Sequence, residues 1–227
     1  MEESVAKELQ SLSPQFSGWD DVMRRYDTQL YRSDHEDIPD EHVRTVQEVH
    51  NILETILRVC TKSGHLRDTW DFPAKLDLLL YGQETDVQSR KTGVTFTLGI
   101  YHREIFLRSQ LHCPLYIRNM GDEFWSCFVE LRSLGNFQFV ENAVPSSQEA
   151  RKIMKGFKNV KSNIFQIIRN YIVLEAYEGR SDDLGSLEIK WPLTAPWAEI
   201  IGNAAKAFGY FYRINYMLYR VDYERNR

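Results

Sequence analysis

Apolar positions recur every three or four residues in the first third of the chain, every second residue in the middle, and every three or four again towards the end. Trp19, Val22, Met23, Tyr26 and Leu30 predict a short amphipathic helix. From Glu41 to Lys62, Val43, Val46, Val49, Leu53, Ile56, Leu57 and Val59 predict a second helix. Asp40 stands where an N-cap belongs and Gly64 just past the end. A third short helix is expected from Pro73 to Tyr81, because proline suits a first turn and Gly82 suits a stop.

From Thr92 the period becomes two. Val94, Phe96, Leu98 and Ile100 alternate with Thr95, Thr97 and Gly99, the pattern of a half-buried strand. Ile105 and Leu107 mark a second strand, Leu115 to Arg118 a third, Phe124 to Leu131 a fourth with two apolar faces, and Phe137 to Val140 a fifth. Short connections favour an antiparallel meander. Ser146 or Ser147 then caps a long helix carrying Ile153, Phe157, Val160, Ile164, Ile167, Tyr171 and Leu174 on one stripe. Leu187 to Trp191 reads as one more strand. A last helix begins near Trp197, with Ile201, Ala204, Phe208, Phe211, Asn215 and Leu218 on its inward stripe. The expected class is α+β. It is a single domain over 1–227, with helices over 1–82, a mostly antiparallel sheet at about 92–140, and long helices over 146–227 packing it.

Composition narrows this picture. The chain has 227 residues, 43% hydrophobic and 26% charged, so it can bury about 70% of its unfolded surface without a metal or disulfide. Lys+Arg is 28 against Asp+Glu 32, a net charge of −4, which disfavours a dedicated nucleic-acid coat. Cys60, Cys113 and Cys127 are odd in number and show no C-x-x-C spacing, so free thiols in a reducing compartment are expected. The acidic start MEESVAKELQ predicts no secretory signal, and no apolar run is long enough to span a bilayer. The expected location is cytoplasmic.

Candidate chemistry is sparse. Glu188 and Lys190 lie two apart on a predicted strand and therefore share a face, with Asp183 just upstream. A trio of this kind can hold Mg²⁺ and orient water for phosphodiester hydrolysis. The Asp183, Glu188, Lys190 pattern resembles the D…ExK signature of the restriction-endonuclease-like superfamily, which implies a small metal-dependent nuclease. The other reading of Glu188 is an exposed pair with Lys190 on an edge strand. Arg44 and His50 form an R-x5-H spacing that resembles the motif of HEPN ribonucleases, against which stands a satisfied interior histidine. Adjacent His112 and Cys113 would point to opposite faces of a strand and need a bend to meet. Asp34 to Asp40 is an acidic cluster without the glycine of a calcium loop. Arg151, Lys152, Lys155, Lys158 and Lys161 form a basic run.

The last helix carries a second stripe. Tyr212, Tyr216, Tyr219 and Tyr223 recur at four, three and four, flanked by Arg213 and Arg220. Tyrosine and arginine are enriched at protein contacts. The first functional expectation is therefore a non-catalytic protein-binding protein of the immunity or antitoxin-like kind, inhibiting a partner enzyme through these six residues. The second is the nuclease. No cofactor is expected except Mg²⁺ under the second reading. The expected partner is a protein, nucleic acid entering only with the nuclease, with no membrane and with self-association left open.

Overall fold

The computed structural model describes residues 3–30, 40–63, 66–74, 83–141, 148–149, 151–152, 162–178 and 184–225. Among them, six helices and a six-stranded antiparallel sheet make an α+β fold. The helices are α1 (Glu3–Leu12), α2 (Phe16–Leu30), α3 (Asp40–Thr61), α4 (Asp122–Leu134), α5 (Asn163–Glu178) and α6 (Trp197–Arg225). The strands are β1 (Trp70–Asp71), β2 (Glu84–Ser89), β3 (Thr95–Tyr101), β4 (Glu104–Gln110), β5 (Asn136–Val140) and β6 (Ser186–Pro192). They lie in the order β1-β2-β3-β4-β6-β5. No described helix is long and apolar enough to cross a membrane.

Contacts divide the chain into two compact units. The first comprises Met1–Leu107 with Lys190–Gly209, the second Arg108–Ile189 with Tyr210–Arg227. In the first, α3 packs on β2 and β3 through the predicted stripe, with Val46, Val49, Leu53, Ile56 and Leu57 buried. Trp70, Phe96 and Phe208 form one aromatic cluster, with ring centroids 4.6–6.0 Å apart. Trp19 meets Trp197 edge-on at 5.2 Å, and the Trp197 indole donates to Asp20 (2.7 Å). Gly99 is required by close packing, since a Cβ there would lie 2.5 Å from the Phe106 ring. The β3–β4 turn places His102 (φ 49°) and Arg103 (φ 62°) in the left-handed region.

In the second unit, α4 and α5 both pack against β5. Phe128, Phe137 and Phe211 meet in series, with centroids 6.2 and 6.4 Å apart and rings tilted by 53° and 55°. Asn215, the one polar member of the inward stripe of α6, is fully buried and satisfied. Its Oδ1 accepts from the His112 backbone N–H (2.7 Å), and its Nδ2 donates to Ser109 Oγ (3.1 Å) and to the Phe211 carbonyl (3.0 Å).

Three expectations are corrected. Phe124 to Leu131 is helix α4 and not a strand: Phe124, Cys127, Phe128 and Leu131 are its buried residues, at i, i+3, i+4 and i+7. Gly121 precedes it, Asp122 and Glu123 fill its first turn, and Gly135 follows its end. Leu115 to Arg118 lies in a 3-10 helix over Pro114–Asn119, entered through left-handed Cys113. The sheet extends beyond 92–140 to β1 and β2, and it takes in β6, the strand expected at Leu187 to Trp191. In β2 the inward residues are Thr85, Val87 and Ser89, so burial follows period two while hydropathy does not. The helix expected over 73–81 falls mainly outside the described residues, as do the acidic cluster at 34–39 and most of the first half of the helix expected from 146.

Asn215→Ala leaves the half-buried His112 N–H without its acceptor and removes three hydrogen bonds. It should cost about 2 kcal/mol. Thermal melts should show a Tm drop of about 5 °C at this chain length.

Candidate functional site

The outer half of α6 carries a ladder of tyrosines. Phe211, Ile214, Asn215 and Leu218 fill the buried side, so the next positions round the helix lie at the boundary with solvent. Exposure grades along it, from Tyr212 at 6% through half-buried Tyr216 and Tyr219 to Tyr223 at 44%. Residues three or four apart on a helix are neighbours. Accordingly Tyr212 stacks on Tyr216 (5.9 Å, 9°), Tyr216 on Tyr219 (6.3 Å, 29°) and Tyr219 on Tyr223 (5.9 Å, 28°). The rings brace one another, so the ladder presents ring edges and hydroxyls more than ring faces. Both flanking cations are already paired, Arg213 with Glu123 of α4 (2.8 Å) and Arg220 with Glu224 (3.4 Å).

Asp222 lies seven residues after Asn215, two turns along the same face. Its carboxylate accepts from the Cys113 thiol and the Tyr116 hydroxyl. Arg225 lies over the Tyr116 ring (5.3 Å), and the His112 ring is 6.4 Å from Tyr219. Asn215 and Asp222 thus fasten the helix to the 109–116 segment and set the orientation of the ladder. The bend that His112 and Cys113 would need is present, since Cys113 has φ 46° and ψ 51°. The fold favours the neutral thiol over the thiolate. Partial burial, and secondarily the Asp222 charge and hydrogen bond, push its pKa up to about 11. Desolvation lowers the pKa of His112, partly offset by the Asp222 charge. Burial raises Cys60 to about 12 and also raises Cys127.

Glu188 is not an exposed residue on an edge strand. It is 2% exposed on β6, which lies between β4 and β5. Arg108 of β4 donates to Oε2 through Nε (2.8 Å) and Nη2 (2.6 Å), and Gln138 of β5 donates to Oε1 (2.5 Å). Both carboxylate oxygens are engaged, one from each neighbouring strand. Lys190 is half-buried on β6, and Asp183 lies outside the described residues. Arg44 is exposed on α3, while His50 is half-buried with Nε2 3.9 Å from Glu54 and a buried Nδ1 that has no hydrogen-bond partner. Of the basic run, Arg151 and Lys152 are described and exposed.

Sequence spacing alone finds the ladder. It does not find Asp222, Cys113 and Tyr116, because they come from segments remote in the chain. No family model, no curated protein and no solved structure matches this chain.

Two measurements check this geometry. Glu188→Ala leaves the Arg108 guanidinium without its carboxylate and should cost about 2 kcal/mol, discounted because Arg108 reaches solvent. A denaturant midpoint equal to wild type would contradict that. The thiol of Cys113 is favoured in its neutral form by the fold, above its ordinary value of 9.0. The unfolded chain therefore loses that proton first, and Cys113 removes stability as pH rises from about 9 to about 11. Native-state alkylation of Cys113 should show a midpoint near pH 11, moving down in Asp222→Asn. A midpoint near 9 would contradict the contact.

Proposed function

We propose that this protein is a non-catalytic binding protein, of the immunity or antitoxin-like kind, that inhibits a partner enzyme through the tyrosine ladder of α6. The observation that carries the reading is the graded, mutually stacked stripe from Tyr212 to Tyr223, fastened from behind by Asn215 and Asp222. Tyrosine supports a contact that is open in the free protein, because it brings large area at low rotamer entropy and its hydroxyl tolerates water. Stacking along the helix reduces what ordering remains to be done on binding. Arg213 and Arg220 stand at the rim, where exchanging an exposed intramolecular carboxylate for a partner's changes association rate more than affinity. Tyr212 belongs to the core end of the stripe and anchors the others, so the contact itself centres on Tyr216, Tyr219 and Tyr223.

Tyr216→Ala with Tyr219→Ala tests this. A photo-crosslinking residue at position 223 should attach a defined protein in the native host. The double variant should lose that protein while its Tm stays within about 3 °C of wild type, as expected for half-exposed positions. Retention of the partner by the double variant contradicts the assignment. So does a drop of several degrees with a chain that is monomeric and partnerless throughout, which would make the tyrosines ordinary core. Mg²⁺-dependent cleavage of DNA or RNA that Glu188→Gln abolishes would transfer the assignment to a nuclease carried by Asp183, Glu188 and Lys190.

A further inference from the structure

Where α4 hands over to β5, the second unit contains a partly enclosed cavity of about 510 Å³. Its origin is local. Gly135 is the only residue between Leu134, the end of α4, and Asn136, the start of β5, so helix and strand diverge without a loop. The first residue of α5 closes the third side. Asn163 Nδ2 donates to the Phe137 carbonyl (2.8 Å) and its Oδ1 accepts from the Phe139 N–H (3.3 Å), so the side chain imitates a neighbouring strand. Three elements are thereby held apart at fixed distances.

The lining has two characters. Phe137, 8% exposed, backs onto the wholly covered Phe128 ring (6.2 Å, tilted by 53°) at the base, and Ile164 adds an aliphatic wall. Val129 stands at the rim, 58% exposed. Arg132 lies one turn after Phe128, on the same side of α4, and also lines the cavity. Among the described residues Arg132 has no ion-pair partner. Arg108, Arg118, Arg169 and Arg213 of the same unit each have a carboxylate from another element. A cavity in the size range of small-molecule sites, apolar at the base with one uncompensated cation at its side, has the polarity of an amphipathic anion.

We propose that this cavity binds a small aromatic anion, its ring against Phe137 and Ile164 and its carboxylate or sulfonate on Arg132. The inference is independent of the tyrosine surface. The Phe137 ring, tilted by 53° to the covered Phe128 ring behind it, favours an aromatic body by offset or edge-to-face contact. The guanidinium favours a planar carboxylate, which it meets bidentately. Asn163 is engaged with β5 and holds the wall; the specificity for charge rests on Arg132 alone.

Naphthalene-2-carboxylate is a suitable probe, with naphthalene-2-carboxamide as its neutral counterpart, both titrated calorimetrically into the full chain. The carboxylate should bind saturably at one site, with Kd on the order of 10–100 μM. The carboxamide should bind about tenfold more weakly, and Arg132→Met should remove that difference. Val129→Trp at the rim should block the carboxylate while leaving Tm unchanged, because Val129 is exposed. No saturable binding at millimolar probe overturns the proposal. So does equal affinity for acid and amide in the wild type, or carboxylate binding that survives Val129→Trp undiminished. Should Val129→Trp lower the Tm, Val129→Glu, which sets a negative charge at the exposed rim, serves as the blocking variant, and undiminished binding there overturns the proposal equally.

Discussion

A carboxylate that is almost wholly out of water decides how the second half of the sheet is put together. Glu188 is 2% exposed, and an ionised carboxylate in such a place is tolerable only when its oxygens are bonded and its charge is answered. Arg108 and Gln138 do this from the strands on either side. A slip of one residue in β4, β5 or β6 would turn the partner to the opposite face and leave the charge buried alone. Register on these three strands is therefore specified by electrostatics as much as by hydrophobic pattern. β6 has little choice of pattern anyway, since Ser186 to Ile189 are buried on both faces. The motif that reads in sequence as a metal-holding trio has, in the fold, a carboxylate committed to holding strands.

The outer half of α6 is governed by a second set of buried polar contacts. Asn215 and Asp222, seven residues apart, face the same segment and leave the helix one rotational setting there. That setting puts Phe211 and Leu218 inward and the tyrosines on the boundary. A purely apolar inward stripe would pack about as well over a range of rotations, because apolar contacts are non-directional. Directional hydrogen bonds remove that freedom. The orientation of the ladder is a consequence of the polar residues behind it, which is why its exposure changes so regularly along the helix.

How much of this was legible depends on whether hydropathy and burial coincide. In β3 they do, since Phe96, Leu98 and Ile100, with Val94 just before the strand, are both apolar and buried, and in α3 and α6 the 3.6-residue stripes are likewise the buried ones, apart from Val43 near the start of α3, which is 40% exposed. In β2 they diverge. Thr85 and Ser89 occupy inward positions, and the strand carries no apolar alternation to see. In α4 they mislead, because Phe124 to Leu131 is apolar enough on both sides to satisfy either period, and the decisive signals were the flanking Gly121 and Gly135. The tyrosine ladder was visible because it is a repeat within one helix. The Asp222 contacts, the Arg108–Glu188–Gln138 set and the cavity beside Arg132 were not, because each joins segments that only the fold brings together.

The costliest backbone positions follow the same division of labour between local sequence and distant partner. A hairpin turn with two left-handed residues ordinarily recruits Asn-Gly or Asp-Gly, which adopt that region with least penalty. The β3–β4 turn uses His102 and Arg103 instead, at roughly 1 kcal/mol or more each. The compensation comes from elsewhere in the first unit: the Arg103 guanidinium is held by both oxygens of Asp27 (3.0 and 2.6 Å), and its carbonyl accepts from Leu193 N–H (2.9 Å). Among the described residues Cys113, in the second unit, is the third left-handed residue that is not glycine, and it too is met by a carboxylate, that of Asp222. In each unit a turn that its own residues disfavour is stabilised by an aspartate on a helix far away in sequence. The hairpin and the 109–116 segment therefore draw on tertiary contacts, whereas β3 and α3 follow their local pattern.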